Sequence, residues 1–173
     1  ASGGSTNAAL HLPAIANEAG IKFTLEDVTN ISKKTPYIAD LKPGGKYVAK
    51  DLYEIGGVPI LIKSLLDGGF LHEDCITVTG ETIAENHKNV VFPTNQKIIY
   101  KTSKPLSARG GFVGLKGNLA PEGAIVKVAG LKRRKFKGKA KCFDGEPSAL
   151  NAVLEKKIKP GDVIVIRYEG PKG

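Results

Sequence analysis

Ser5, Thr6 and Asn7 follow two glycines in "GGSTN", residues 3–7, and stand just before an apolar run typical of a helix. The first turn of a helix presents unpaired N–H groups and the positive end of its dipole, so it can bind a phosphate or carboxylate. The stretch lacks the Lys-Ser/Thr ending of a Walker loop and the G-x-G-x-x-G spacing of a dinucleotide site. Anion binding and ordinary helix capping both fit it, and capping is favoured.

The second stretch with reactive side chains is "LHEDC", which places His72, Glu73, Asp74 and Cys75 side by side. Metal ligands must converge on one point, but consecutive residues diverge around a helix or alternate across a strand. The other cysteine, Cys142, is far along the chain. We therefore predict no metal site here and two buried or incidental thiols. The sequence also has no G-x-S-x-G elbow, and it assigns no catalytic residue.

The third stretch is the basic run "LKRRKFKGKAK", within a chain of formal net charge +9. Its cations are Lys132, Arg133, Arg134, Lys135, Lys137, Lys139 and Lys141. Such a run attracts nucleic acid through the phosphates, but lysine-rich edges also prevent unwanted strand pairing. Phe136 is the run's only aromatic residue, which is too few for a base-stacking platform. We favour a solvated hairpin or edge strand, do not expect nucleic acid as a partner, and keep a stand-alone basic nucleic-acid-binding domain as an alternative.

Helices are predicted for the first half of the chain, residues 1–88. The run after Asn7 extends to Gly20, and Thr24 with Asp27 forms a capping-box pattern before a second helix. Two further helical pieces are predicted, separated by Gly56, Gly57 and Pro59, with a buried face of Ile60, Leu61, Leu65 and Leu66. A short helix follows, with its cap at Thr79 or nearby.

The second half, residues 89–173, has the pattern of β-structure. Short runs rich in Val, Ile and Phe are separated by Gly, Pro or Asn: "NVVFPTNQKIIYKT", "GGFVGLKG", "GAIVKVAG", "KAKCFD" and "DVIVIRYEG". One helix interrupts them, starting at Pro147 or Ser148 and carrying lysines in its last turn. We therefore predict an α+β protein whose helical part precedes a β-rich part of sandwich or barrel type.

Composition is typical of a globular protein, with 41% hydrophobic and 25% charged residues. No run reaches the roughly eighteen apolar residues of a membrane-spanning helix, and the first residues lack the layout of a signal peptide. We expect a cytoplasmic protein without a membrane partner. Because the chain starts with Ala and contains no Met, we also expect it to be a piece of a longer sequence.

Four stretches together resemble, in this order, the C-terminal part of the dihydroxy-acid dehydratases, in the dihydroxy-acid/phosphogluconate dehydratase family. They are "GGSTNAALHLPAIANEAG", "ADLKPGGKYVAKDLYEIGGVP", "GGFVGLKGNLAPEGAIVKVAG" and "KPGDVIVIRYEGPKG". The resemblance runs from residue 3 to residue 173, and "GNLAPEGA" resembles the dihydroxy-acid branch more than the phosphogluconate branch. A sugar-acid dehydratase of the same family remains the related alternative.

The resemblance implies a hydro-lyase that converts 2,3-dihydroxy-3-methyl carboxylates to 2-oxo acids in valine and isoleucine biosynthesis. It implies an iron–sulfur cluster, Mg²⁺ and a homodimer for the full-length enzyme, whose cluster cysteines match neither Cys75 nor Cys142. The matching part contains none of the family's cluster, metal or base residues, so we expect no catalytic residue, no metal ligand, no bound cofactor and no activity in this chain alone.

The resemblance also implies the fold and the substrate-binding residues. The helical end of an N-terminal domain, residues 1–88, would precede a swivelling, aconitase-like β/β/α barrel at residues 89–173. The small-molecule dihydroxy acid would bind in a substrate cleft lined in part by this chain. The candidate residues are Ser5, Thr6, Asn7, Asn118, Glu169, Gly170 and Gly173.

Overall fold

The computed structural model describes residues 1–133 and 135–170. Contacts between residues divide the chain into two units, Ala1–Leu131 and Lys132–Gly173. The sequence-based domain boundary between residues 88 and 89 is a different division, based on the change from helical to β patterns, and it stays a prediction.

Five helices belong to the first unit: α1 (Ala8–Glu18), α2 (Leu25–Lys34), α3 (Ala49–Glu54), α4 (Val58–Asp67) and α5 (Ile83–His87). Helix α1 begins after Asn7 and contains Pro13, and Gly20 follows its end with φ +69°. The capping box of α2 is present as predicted. In α5 the capping residue is Thr82, whose hydroxyl accepts from the Glu85 N–H, and not Thr79.

The break between α3 and α4 consists of Ile55, Gly56 and Gly57. The prediction that Pro59 separates these helices is wrong, because Pro59 lies in the first turn of α4. Proline is tolerated there, since a first-turn N–H has no partner within the helix. Of the predicted buried face, Ile60 and Leu65 are buried, and the other two leucines are half-buried.

The core of the first unit is a cluster of six buried residues: Ile38, Ala39, Ile60, Leu65, Ile98 and Ile99. Two extended segments meet there, with the Asp40 N–H donating to Ile98 O and the Tyr100 N–H to Ile38 O, both at 2.8 Å. The strand predicted over residues 89–102 is wrong, because this segment makes only an isolated bridge between Ile99 and Ala39. Its apolar residues reflect burial in the core.

Strands β1 (Phe112–Gly117) and β2 (Ala120–Lys127) form an antiparallel hairpin that packs on α2. The Ser32 hydroxyl donates to Phe112 O at 2.7 Å, which fixes the start of β1 against the helix. Gly114 lies against Thr29, where a β-carbon would overlap the Thr29 hydroxyl. The hairpin is therefore fixed to α2 through small residues in close contact.

The second unit contains β3 (Ala140–Asp144), α6 (Glu146–Leu154) and β4 (Val163–Arg167). The two strands pair in parallel, and α6 lies between them along the chain. Ala149 and Ala152 are the buried residues of this helix. The helix begins at Glu146, earlier than predicted, and ends before Lys156 and Lys157. The prediction of lysines in its last turn is therefore wrong.

The architecture is α+β, as predicted from the sequence. Across the described ranges, the strands form two two-stranded sheets, the β1–β2 hairpin and the β3–β4 pair, and not a closed barrel. Within the same ranges, no helix is both long enough and apolar enough to cross a membrane.

Candidate functional site

Ser5, Thr6 and Asn7 lead directly into α1, as the sequence indicated. The Ala8, Ala9 and Leu10 N–H groups donate to the carbonyls of Ser5, Thr6 and Asn7 at 3.0–3.1 Å. The Ser5 hydroxyl accepts from the Asn7 N–H at 3.2 Å, and the Asn7 side chain makes no capping bond. The first N–H groups of α1 thus have main-chain partners, so few free N–H groups are left there to bind an anion. The groups exposed at the helix start are the Ser5 and Asn7 side chains.

The two glycines before Ser5 attach this segment to the β1–β2 hairpin. Gly3 and Gly4 have φ values of +78° and +39°, in the region that favours glycine. A β-carbon on Gly3 would lie 2.7 Å from Cε2 of Tyr37, so only glycine allows this close approach. The Lys127 ammonium donates to Gly4 O at 2.8 Å.

Lys127 and Tyr37 are residues that the sequence analysis did not single out. They line a cleft of about 200 Å³ together with the backbone of Gly3 and Gly4. Burial of the Tyr37 hydroxyl, and secondarily the nearby Asp40 charge, raise its pKa. The signal for Lys127 was available in the sequence, since it is a single cation within the apolar strand "GAIVKVAG".

Asn118 occupies the two-residue turn of the β1–β2 hairpin, between the paired residues Gly117 and Ala120. Its side chain is exposed. Gly4 lies at the opposite end of the hairpin, where Phe112 pairs with Lys127. A six-residue strand is about 20 Å long, so the hairpin separates Asn118 from the glycines that precede Ser5.

Glu169 and Gly170 belong to the second unit, just after β4. Tyr168 has φ +58°, an uncommon value for a residue with a side chain, and it turns the chain at the strand end. Glu169 Oε1 then accepts from the Glu146 N–H at 2.7 Å, at the first residue of α6. Gly173, the last predicted site residue, lies outside the described residues.

The described residues of the basic run are exposed up to Ala140, where β3 begins, and Phe136 is exposed as well. Its residue Arg134 lies outside the described residues. Lys141 is half-buried and forms an ion pair with Asp162 at 3.0 Å. The described part of the run before Ala140 is solvated, as predicted, but it forms no hairpin or edge strand, and the run enters a strand only at Ala140. The nucleic-acid alternative stays untested.

The "LHEDC" stretch lies between α4 and α5 and forms no regular helix or strand. Cys75 and Cys142 are both exposed free thiols, so of the two predicted alternatives, buried or incidental, burial is wrong. In the described part of the chain, no three His, Cys, Asp or Glu side chains converge as metal ligands would.

Comparison with protein-family models places the chain among the dehydratases. The model "Dihydroxy-acid/6-phosphogluconate dehydratase N-terminal" matches residues 1–86, and the C-terminal model of the same family matches residues 97–173. The two models follow each other in the same order along the chain. The chain belongs to the dihydroxy-acid/6-phosphogluconate dehydratase family.

Curated relatives match over the full length of this chain. A protein from Bradyrhizobium diazoefficiens named dihydroxy-acid dehydratase 2 is 66% identical over 173 residues, and the dihydroxy-acid dehydratase of Pelagibacter ubique is also 66% identical. The dihydroxy-acid dehydratase of Saccharolobus islandicus is 53% identical over 175 residues. In each case the match covers 100% of this chain and 30–31% of the relative. The chain thus spans about 30% of the length of these relatives.

Proposed function

We propose that this chain is part of a dihydroxy-acid dehydratase, a hydro-lyase that converts 2,3-dihydroxy-3-methyl carboxylates to 2-oxo acids in valine and isoleucine biosynthesis. The observation that carries the proposal is the ordered match to both domain models of one family. Relatives named dihydroxy-acid dehydratase, at 53–66% identity along the whole chain, favour this branch over the sugar-acid branch.

The proposed reaction removes the proton from C2 and the hydroxyl group from C3, which leave together as water. The remaining enol then tautomerises to the 2-oxo acid. An iron–sulfur cluster and Mg²⁺, proposed for the complete enzyme, would supply Lewis-acid assistance and stabilise developing negative charge. The described residues of this chain bring no three His, Cys, Asp or Glu side chains together, so they do not by themselves form a complete site for either group.

For this chain the proposed role is to line the substrate cleft. The proposed residues are Ser5, Thr6, Asn7, Asn118, Gly170 and Gly173, and Glu169 through its main chain. Exposed hydroxyl and amide groups support the role of Ser5, Asn7 and Asn118, because such groups can bind substrate hydroxyl and carboxylate oxygens. Glu169 differs from these three, because its carboxylate already accepts a hydrogen bond from the start of α6.

The finer organisation of the complete enzyme is proposed from the same family membership. We infer a domain boundary between residues 88 and 89, a swivelling, aconitase-like barrel after it, a homodimer and a cytoplasmic location. The C-terminal family model supports the boundary and the β-rich domain, because its match, residues 97–173, contains all four strands of the described residues.

The test is a substrate comparison with the full-length protein that contains this sequence, prepared anaerobically with iron, sulfide and Mg²⁺. We expect 2,3-dihydroxy-3-methylbutanoate to give the 2-oxo acid, and gluconate, a sugar acid without the 3-methyl group, to react much more slowly. Formation of 2-oxo acid is measured by coupling it to a reducing enzyme. Turnover of gluconate alone would favour the sugar-acid alternative, and turnover of neither substrate would contradict the proposal.

A further inference from the structure

In the second unit, the ends of β3 and β4 meet the start of α6. Because the strands are parallel, their carboxyl ends lie at the same edge, where Asp144 pairs with Arg167. The Arg167 guanidinium donates to Asp144 Oδ1, at 2.8 Å from Nε. In α/β units, groups at this edge commonly take part in ligand binding. The direction in which the chain leaves β4 therefore decides where the residues after the strand lie relative to this edge.

The start of α6 has no capping side chain from its own sequence. Its N-cap residue is Gly145, and the Ser148 hydroxyl donates to Gly145 O at 2.9 Å, so it does not cap the helix. Pro147 has no N–H to satisfy. The Glu146 N–H donates to Glu169, 23 residues later in the chain, whose Oε1 accepts it at 2.7 Å.

Backbone geometry on both sides brings this carboxylate to the helix. Tyr168 takes up φ +58° directly before Glu169, and Gly145 takes up φ +93° directly before Glu146. A β-carbon on Gly145 would lie 3.4 Å from Glu169 Oε1, within van der Waals contact. The Gly145 N–H also donates to Arg167 O at 3.1 Å. Two hydrogen bonds, one on each side of Tyr168, thus connect the end of β4 to the start of α6.

We propose that Glu169 is a positioning residue that fixes the chain leaving β4 against α6, rather than a residue that contacts substrate. Its carboxylate is directed at the helix, where the positive end of the dipole favours it. The hydrogen bond fixes Glu169 and hence the start of Gly170. The inference that this positioning affects turnover rests on the proposed function, whereas the hydrogen bond between Glu169 and the Glu146 N–H does not depend on it.

The contact is tested by amide hydrogen exchange at Glu146 in the full-length protein. Glu169→Ala removes the acceptor and should speed exchange of this amide by about tenfold, as expected for loss of one charge-assisted hydrogen bond. Glu169→Gln keeps an Oε1 acceptor and should stay close to the unmodified protein. Glu155→Ala is the matched control, because Glu155 pairs with Lys157 beyond the other end of α6. Unchanged exchange in folded Glu169→Ala would overturn the proposal.

A kinetic comparison separates positioning from substrate contact. If Glu169 positions the chain, Glu169→Ala lowers kcat/KM for the dihydroxy acid, and Glu169→Gln recovers most of the loss because the acceptor is restored. If the carboxylate contacts substrate or metal, both variants are equally impaired while Glu169→Gln keeps Glu146 protected, and that result overturns the proposal. Absence of dehydration in the unmodified protein would overturn the proposed function, while the exchange experiment would still decide the contact.

Discussion

Gly114 is the residue at which β1 comes closest to α2. A β-carbon there would overlap the Thr29 hydroxyl and lie 3.2 Å from Thr29 Cβ. Thr29 cannot move aside freely, because it is buried and its hydroxyl donates to Leu25 O at 2.8 Å. The contact between helix and hairpin therefore depends on the absence of a side chain at residue 114.

This contact predicts that Gly114→Ala destabilises the first unit by about 1–3 kcal/mol, the usual cost of overpacking. Gly117→Ala is the matched control in the same strand, because a β-carbon there would meet nothing within 4 Å. The free energy of unfolding in urea, measured for both variants, checks the prediction. Equal stabilities for the two variants would show that the close approach to Thr29 has no energetic consequence.

Single residues also show what the sequence could and could not reveal about the candidate site. Ser5–Asn7 were correctly placed at a helix start, because caps and apolar periodicity are local signals. The contact between Glu169 and Glu146 joins residues 23 positions apart, and no local spacing rule reaches that far. Gly145, without a capping side chain, was the one indication that α6 needs an acceptor from elsewhere.

Helix α2 begins with a complete capping box formed by Thr24 and Asp27. Thr24 donates to Asp27 Oδ2 through its N–H at 2.8 Å and its hydroxyl at 2.7 Å. We expect Thr24→Ala to destabilise the protein by about 1 kcal/mol at neutral pH, the typical cost of losing an N-cap side chain. Urea unfolding measures the loss, with Glu26→Gln in the same turn as the control. A stability loss in Glu26→Gln as large as in Thr24→Ala would contradict the assignment.

The same box predicts how this difference depends on pH. Hydrogen bonds from the Thr24 hydroxyl, and then from its N–H, lower the pKa of Asp27 from 3.8. A lowered folded-state pKa stabilises the protein above pH 3.8, and the stabilisation is lost as the pH falls through the lower folded value. The difference between Thr24→Ala and the unmodified protein should therefore shrink between neutral pH and about pH 3. A difference that grows on acidification would exclude this origin.

At the scale of elements, residues 89–102 show where prediction failed and why. Apolar runs of this length occur both in strands and in buried irregular segments. Here the Gln96 side chain accepts from the Ile98 and Ile99 N–H groups, at 2.7 and 2.8 Å, and donates to Ile99 O. A side chain thus supplies hydrogen bonds that a neighbouring strand would otherwise provide, and the sequence contains no periodic signal for that.

At the scale of the whole molecule, the α+β class was predictable because a run of helices precedes a run of strands. The pairing of strands was not, since the alternation of Val163–Arg167 is compatible with many partners. The structure pairs this strand with β3, and β1 and β2 pair with each other. Only the helix α6 between β3 and β4 indicated a parallel connection, which needs a crossover of this kind.

The division of the chain after Leu131 predicts where a protease cuts first. The described residues between 132 and 139 are exposed and form no helix or strand, and they include several Lys and Arg residues at which trypsin cleaves. Exposed, irregular backbone fits a protease active site, whereas paired or helical backbone does not.

Lys127 in β2 and Lys63 in α4 serve as internal controls within regular elements. In a time course followed by mass spectrometry, native protein should be cut within residues 132–139 before either control site. First cleavage at Lys63 or Lys127 would show that this segment is protected.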